Sequence, residues 1–409
     1  MLPARRRRLN CPPFDFPPPD LTAALVELYF ACVNPVFPVL QRTKFDQRLQ
    51  EGLHLRDRWF GATLLMVCAL GARFSADPRT LLDGCEDWLS AGYRWFRQVP
   101  WLQLRLYRPA SLYEVQTYEL MTIYVLCSST PQVAWTLLGI ACRYAVELGL
   151  HRRDGREQMP LELEWQRAFW VLVALDRLIA TFLGHPTTFQ CEDVDVDLPI
   201  DTEDDTCRLD DERALAHVPP SACLTTEYMS CFIRLTDVLD ATLRSFYWKA
   251  SKYQEMTGCS GPEWEQRTVS TLDSALNEWV DSIPEYLRWD PDMKDYTLFQ
   301  QSCALYSVYY YTQIQVHRPF ITKNNPLYPA SISVCAHAAR SHAHIVAAQL
   351  RRHQVVALPQ IVIITFNVGI ILLIQIWRKK KNSDVVEDMS SVRQDVQSCL
   401  DFLKECELV

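Results

Sequence analysis

An all-α fold is what this 409-residue sequence predicts, and three observations carry the prediction. Apolar residues recur at the i, i+3, i+4, i+7 spacing of a helix face in one segment after another. No segment alternates apolar and polar residues convincingly, as a half-buried strand would. Only 12 residues are glycine, well under the roughly 7% share that tight turns and phosphate-cradling loops draw on. With 49% hydrophobic and 22% charged residues, the chain has the composition of a packed protein rather than a disordered one. At about 150 residues per domain the length allows two or three domains. No internal repeat divides it, so the expected organisation is a basic, proline-rich arm over 1–20 and one large helical unit of two intimately packed halves over 21–407.

Leu21 to Val33 opens the folded part, with Leu21, Leu25, Leu28 and Cys32 on one stripe, and Asn34, Pro35 and Pro38 stop it. Trp59 to Phe74 is apolar almost all round, which for a helix means burial. Tyr113 to Cys127 and Trp135 to Leu150 follow, joined by a Ser128–Pro131 turn and expected to lie antiparallel. Pro160 suits a first helical turn, with Glu162 and Glu164 behind it, and that helix runs to the Gly184, His185, Pro186 break. Cys191 to Cys223 is acidic and irregular, a surface loop or a hinge over 191–226 between the halves. Helices resume over Glu227–Tyr253, Trp264–Ile283, Thr297–His317, Ala330–His353, Val355–Trp377 and Val385–Glu405.

The formal net charge of −8 predicts a surface that repels a phosphate backbone, except where cations cluster. Arg5, Arg6, Arg7 and Arg8 form one such cluster, readable as a nuclear localisation patch, as the tail of a DNA-contacting segment, or as a solvated end. Fifteen cysteines spread from Cys11 to Cys406, with no Asn-x-Ser/Thr sequon, read as free thiols in a reducing compartment. The first thirty residues lack the apolar core of a secretory signal, so export is not expected.

Several blocks, taken in order, resemble one family. Tyr29, Phe30, Asn34, Pro35, Phe37, Pro38 and Phe45 form the first. Ala134, Trp135, Gly139, Ile140, Ala141, Arg143, Ala145 and Leu148 to His151 form the second and most diagnostic. Glu164, Arg167, Phe169, Trp170, Asp176, Arg177, Gly184 and Pro186 follow, then Asp193 to Pro199, then Trp279, Pro284 and Leu287, and finally His317 to Phe320. Together they resemble the regulatory, or middle homology, domain of fungal zinc-cluster transcription factors of the xylanolytic-activator type. Gln166 and His185 stand where that family often has arginine. The resemblance implies a nuclear, non-enzymatic module that controls DNA-templated transcription. It also implies that zinc and DNA are bound only by a six-cysteine cluster, whose C-x-x-C pairs are not found in this sequence. Whether the chain is a piece of such a regulator or a member that acts without touching DNA stays open at this level. A co-regulator protein, a small metabolite effector and a second copy of the chain are the candidate partners.

Asp176 and Arg177 interrupt an apolar run from Ala168 to Leu183. A charge buried there costs several kcal/mol, of order, unless it is paired. Arg143 and Glu147, one turn apart on the neighbouring helix, are the candidate partners, and the four residues form either a structural ion-pair network or an effector site. A narrow polar stripe reaching solvent is the remaining reading.

Other chemistry is sparse. Asp193, Asp195 and Asp197 have the spacing that starts a calcium loop, but Leu198 and Pro199 occupy the positions where its turn glycine and flexible carbonyl belong. Asp204, Asp205, Asp210, Asp211 and Glu212 suggest the magnesium clamp of an all-helical enzyme, at the wrong spacing and in a loop. His337, His342 and His344 share a helix without convergent further ligands, so no metal or cofactor site is expected in this chain. No phosphate-binding glycine loop and no nucleophile elbow occur. Val355 to Trp377 is 23 residues without a charge, long enough to span a bilayer, yet interrupted by Pro359, Gln360, Asn367 and Gln375 and flanked by cations at both ends. A buried helix is the expectation, and a membrane-associated protein or a metal-dependent helical enzyme the alternatives.

Overall fold

The computed structural model describes residues 13–85, 87–101, 109–128, 130–153, 162–198, 221–247, 261–321, 325–352, 355, 358–382 and 389–408. Among them the regular structure is helical throughout, with no strand. The α-helices are α1 (Pro19–Cys32), α2 (Arg42–Gln50), α3 (Arg58–Ala72), α4 (Tyr93–Phe96), α5 (Leu112–Leu126), α6 (Gln132–Glu147) and α7 (Glu162–Leu183). They continue with α8 (Ser221–Phe246), α9 (Pro262–Asp281), α10 (Tyr296–His317), α11 (Tyr328–Arg351), α12 (Pro359–Asn382) and α13 (Ser390–Leu408). The expected helices are all present, most of them shifted by a few residues at their ends. Pro160, Arg5 to Arg8, the acids from Asp204 to Glu212 and most of the hinge lie outside the described residues.

Helix α3 is the centre of the first half. Asp57 caps it, accepting from the backbone N–H of Trp59 and Phe60 at 2.8 and 2.9 Å. Every residue from Trp59 to Ala72 is buried, as an apolar surface all round requires. It packs between α1 and α5, and α5 then pairs with α6 and touches α7. Ser111 and Glu114 close a capping box at the start of α5. Helix α8 joins this half to the second by packing on α7, α9 and α10, and α10 to α13 form the far end. The buried apolar side chains make one continuous cluster from Leu21 to Phe402.

The turn after α1 is a hub. Its proline-interrupted backbone leaves carbonyls without helical partners, and three separate helices supply donors to them. Gln301 Nε2 on α10 donates to Pro35 O at 3.0 Å, Tyr228 Oη on α8 to Val36 O at 3.2 Å, and Gln116 Nε2 on α5 to Val39 O at 3.2 Å. The Asn-Pro-x-Phe-Pro block therefore fastens both halves together.

Helix α12 departs from expectation on one side. It begins at Pro359, a residue suited to the first turn, and not at Val355. One face packs on α10, α11 and α13, but a third of its apolar window is buried and the rest is not. It is long and apolar enough to cross a membrane by length and composition, yet its packed face is enclosed by protein. Uniform hydropathy signals burial of the helix but not what covers each face.

Glu119 on α5 is fully buried, and neither carboxyl oxygen has a hydrogen-bond partner. Desolvation holds its pKa well above the usual carboxylate range, so the folded state binds a proton that the unfolded chain releases near pH 4.5. Stability contributed by this group is full below that pH and is lost as pH rises towards the folded-state value. Glu119→Gln removes the linkage. The variant is expected to melt above the wild type at pH 8 and to match it more closely at pH 4.5, as read by circular dichroism across that range.

Candidate functional site

The densest polar constellation lies where α7, α8 and the segment 184–198 meet. Gly184 ends α7 with φ +68°, a left-handed conformation that suits glycine, and the N–H of His185 donates to Ala180 O at 2.9 Å. The chain then doubles back along α7. Asp176, 1% exposed, receives it: Thr188 donates from its backbone N–H at 2.6 Å and from Oγ1 at 3.0 Å, and the Phe189 N–H donates at 3.3 Å. Burial pushes the Asp176 carboxyl up to about 6, against the pull of these three donors.

Arg177 is the next residue, so it projects about 100° further round the helix and meets a different neighbour. It is 3% exposed, donating to Thr236 Oγ1 at 3.2 Å and pairing with Asp237 Oδ1 at 2.5 Å on α8. One turn on, Asp240 is fully buried, accepts from Thr187 Oγ1 at 3.0 Å and pairs with Arg244. Arg244 also reaches Cys191 Sγ at 2.9 Å and Glu192 at 3.4 Å. Helices α7 and α8 thus grip the same turn from two sides.

The segment beyond it is fastened too. Trp170 Nε1 and Gln166 Nε2 donate to Asp197 O at 2.8 and 2.7 Å, and Asp195 N donates to His151 O at 2.9 Å. Arg153 pairs with Asp197 at 2.5 Å and lies 3.7 Å from Asp195. The acidic triplet is engaged by an arginine and by backbone contacts. Among the described residues no group of three or more His, Cys, Asp or Glu is placed to hold a metal.

Asp176 and Arg177 thus have partners, but the bonds do not run to the residues proposed for them. Arg143 and Glu147 stand on the exposed side of α6, which turns Ala134, Ala141, Cys142 and Ala145 inward. Thr187, Thr188, Thr236, Asp237, Asp240 and Arg244 were not foreseen. The i, i+4 acid–base spacing of Asp240 and Arg244, each directly following an apolar leucine (Leu239 and Leu243), is the sequence signal that could have found two of them. Gln166 and His185, the two departures from the family pattern, have local roles: the first bonds Asp197, and the second packs its ring on Trp135 with centroids 4.7 Å apart.

Other sequence-flagged groups are dispersed. His342 is buried, contacts Thr365 Oγ1 at 2.9 Å and is pushed down to about 3 by desolvation, so it is a neutral core residue. His337 is exposed, and His344 faces Asp395, which also binds Arg340 at 2.9 Å. Glu164, 4% exposed, takes both terminal nitrogens of Arg48 on α2 at 2.7 and 2.9 Å. A separate cavity of about 660 Å³ lies between the arm, α1 and α2, lined by Phe16, Val26, Leu49, His54 and Leu64, with Arg42 at its edge.

With this geometry in view, comparison with known proteins decides the family. The family model described as the fungal specific transcription factor domain matches residues 26–281. The chain belongs to that family. An uncharacterized transcriptional regulatory protein of Schizosaccharomyces pombe is 24% identical over 92% of this chain and 49% of its own length. Cutinase transcription factor 1 alpha of Fusarium vanettenii is 24% identical over 75% of this chain and 32% of its own. A transcriptional activator protein of Neurospora crassa is 24% identical over 81% of this chain and 34% of its own. The chain spans about half the length, or less, of these curated relatives. No solved structure matches it. Within the fungal transcription factor domain, the gripped turn at 187–189 falls inside the matched region, as do Asp176, Asp240 and Arg244.

Proposed function

We propose that this chain is the regulatory domain of a fungal zinc-cluster transcription factor, acting in the nucleus on transcription and not as an enzyme. The family match over residues 26–281 carries the reading. Zinc and DNA would be held by a cluster of the full-length regulator, with this chain supplying control. That control would be a population shift between packings of the two helical halves, biased by a co-regulator or a small metabolite. The α7–α8 network is suited to such a role because it tethers both helices to the chain leading into residue 199. Its carboxylates are each engaged by donors of the same turn or by Arg177 and Arg244, which favours a structural lock over an effector pocket. For a metabolite, the 660 Å³ cavity beside α1 has the size of a small-molecule site.

The test is a fusion of the chain to a heterologous DNA-binding module upstream of a reporter of moderate basal output. Reporter transcription is expected to differ from that given by the DNA-binding module alone. Identical output from both, at equal nuclear abundance and at high and low basal activity, would remove the proposal.

A further inference from the structure

Helix α12 is apolar on both sides. Inward, Ile361, Ile364, Val368 and Leu372 are buried. Outward, Phe366, Ile370, Leu373 and Trp377 are 59%, 41%, 53% and 60% exposed. Their spacing of four, three and four residues is that of a coiled-coil seam, which on a helix makes one straight stripe. No charged residue occurs between Pro359 and Trp377. Gly369 adjoins the stripe, and a Cβ added there would meet nothing within 4 Å. The chain's own packing therefore does not require glycine at this point, where it weakens the helix, whereas a second backbone approaching closely would.

We propose that this stripe is a self-association surface, on which α12 of a second copy lies antiparallel. Arg378 to Lys381 follow directly on the stripe. Parallel pairing would set two such cationic ends side by side, while antiparallel pairing about an axis between 370 and 373 separates their centres by about 24 Å, the rise of 16 helical residues. About a twofold axis between residues 370 and 373, Phe366 meets Trp377 of the other copy and Ile370 meets Leu373, so each large side chain finds a large one. The four exposed side chains and their half-buried neighbours offer roughly 600 Å² per copy, and the pair reaches the lower edge, about 1,200 Å², of stable specific interfaces. A bilayer is a poorer occupant, because the inward face of the same helix is enclosed by α10, α11 and α13. The proposal does not depend on the transcriptional reading.

Sedimentation equilibrium of the full chain at micromolar concentration is expected to give twice the 47.4 kDa chain mass. Leu373→Glu and Ile370→Lys should each be monomeric with unchanged helical circular dichroism, raising the dimer dissociation constant at least about a hundred-fold. Mixing the two variants should restore a dimer, since positions 370 and 373 face each other only in the antiparallel pair. A monomeric wild type would overturn the proposal, as would a Leu373→Glu variant that still dimerises or a mixture that does not re-form. Wild-type chain that floats with phosphatidylcholine vesicles and is monomeric without them would assign the stripe to lipid and overturn it equally.

Discussion

Asp176→Ala is expected to destabilise the protein by about 2–4 kcal/mol, because it strips one buried acceptor from three donors at once, two of them on the exposed Thr188 and one on the buried Phe189. The Thr188 N–H, the Thr188 hydroxyl and the Phe189 N–H all lose their partner. The damage should be concentrated locally. Amide hydrogen exchange should speed up most at 187–198, which Asp176 holds at its near end, and less in α3 and α5, which do not touch that turn. Asp176→Asn keeps one carbonyl oxygen and should fall between the variant and the wild type. Urea denaturation that leaves Asp176→Ala within about 0.5 kcal/mol of wild type, the range of an ordinary surface substitution, would show that the turn is held by something other than this carboxylate.

Gly71→Ala should have an effect of comparable size by a different route. A Cβ at position 71 would lie 2.1 Å from Leu25 O and 2.9 Å from Leu25 C, and both are backbone atoms that cannot swing aside. Helices α1 and α3 would have to separate at their crossing, opening the first half of the core around Tyr29, Phe60 and Leu64. Overpacking of a close-packed core typically costs about 1–3 kcal/mol, and backbone contact at this distance places the change at or above the upper end. A Tm unchanged from wild type would mean that α1 does not approach α3 as closely as the structure shows.

Much of the helical order was legible before any coordinates. Segments such as α3, α5 and α10 carry apolar residues at helical spacing and begin at the capping residues Asp57, Ser111 and Asp295, so period and punctuation agree. Helix α2 was not legible: it is nine residues long, polar except for Phe45 and Leu49, and buries only Phe45. The exposed stripe of α12 was hidden for the opposite reason, since an uncharged helix reads the same whether its outer face meets protein or solvent.

At the candidate site, the apolar flanks of Asp176 and Arg177 made burial one of two readings, the other being a narrow polar stripe, and the need for partners followed from the cost of burying charge. Partner identity did not. Adjacent helical residues face different neighbours, and the groups answering Arg177 lie 59 and 60 residues further along the chain, on a helix whose placement the sequence does not encode locally. Thr187 and Thr188 carried no pattern at all, because their role arises only when Gly184 turns the chain back on itself.

The most direct measurement is reporter output from the DNA-tethered chain with and without Arg244→Met, at equal abundance, with hydrogen exchange followed in parallel on the purified proteins. Arg244 joins Asp240, Glu192 and Cys191, so its loss should free the 187–193 turn from α8. Faster exchange in that turn together with altered reporter output is expected of a regulatory module whose state this network sets. Faster exchange with output identical to the unmutated fusion would contradict it.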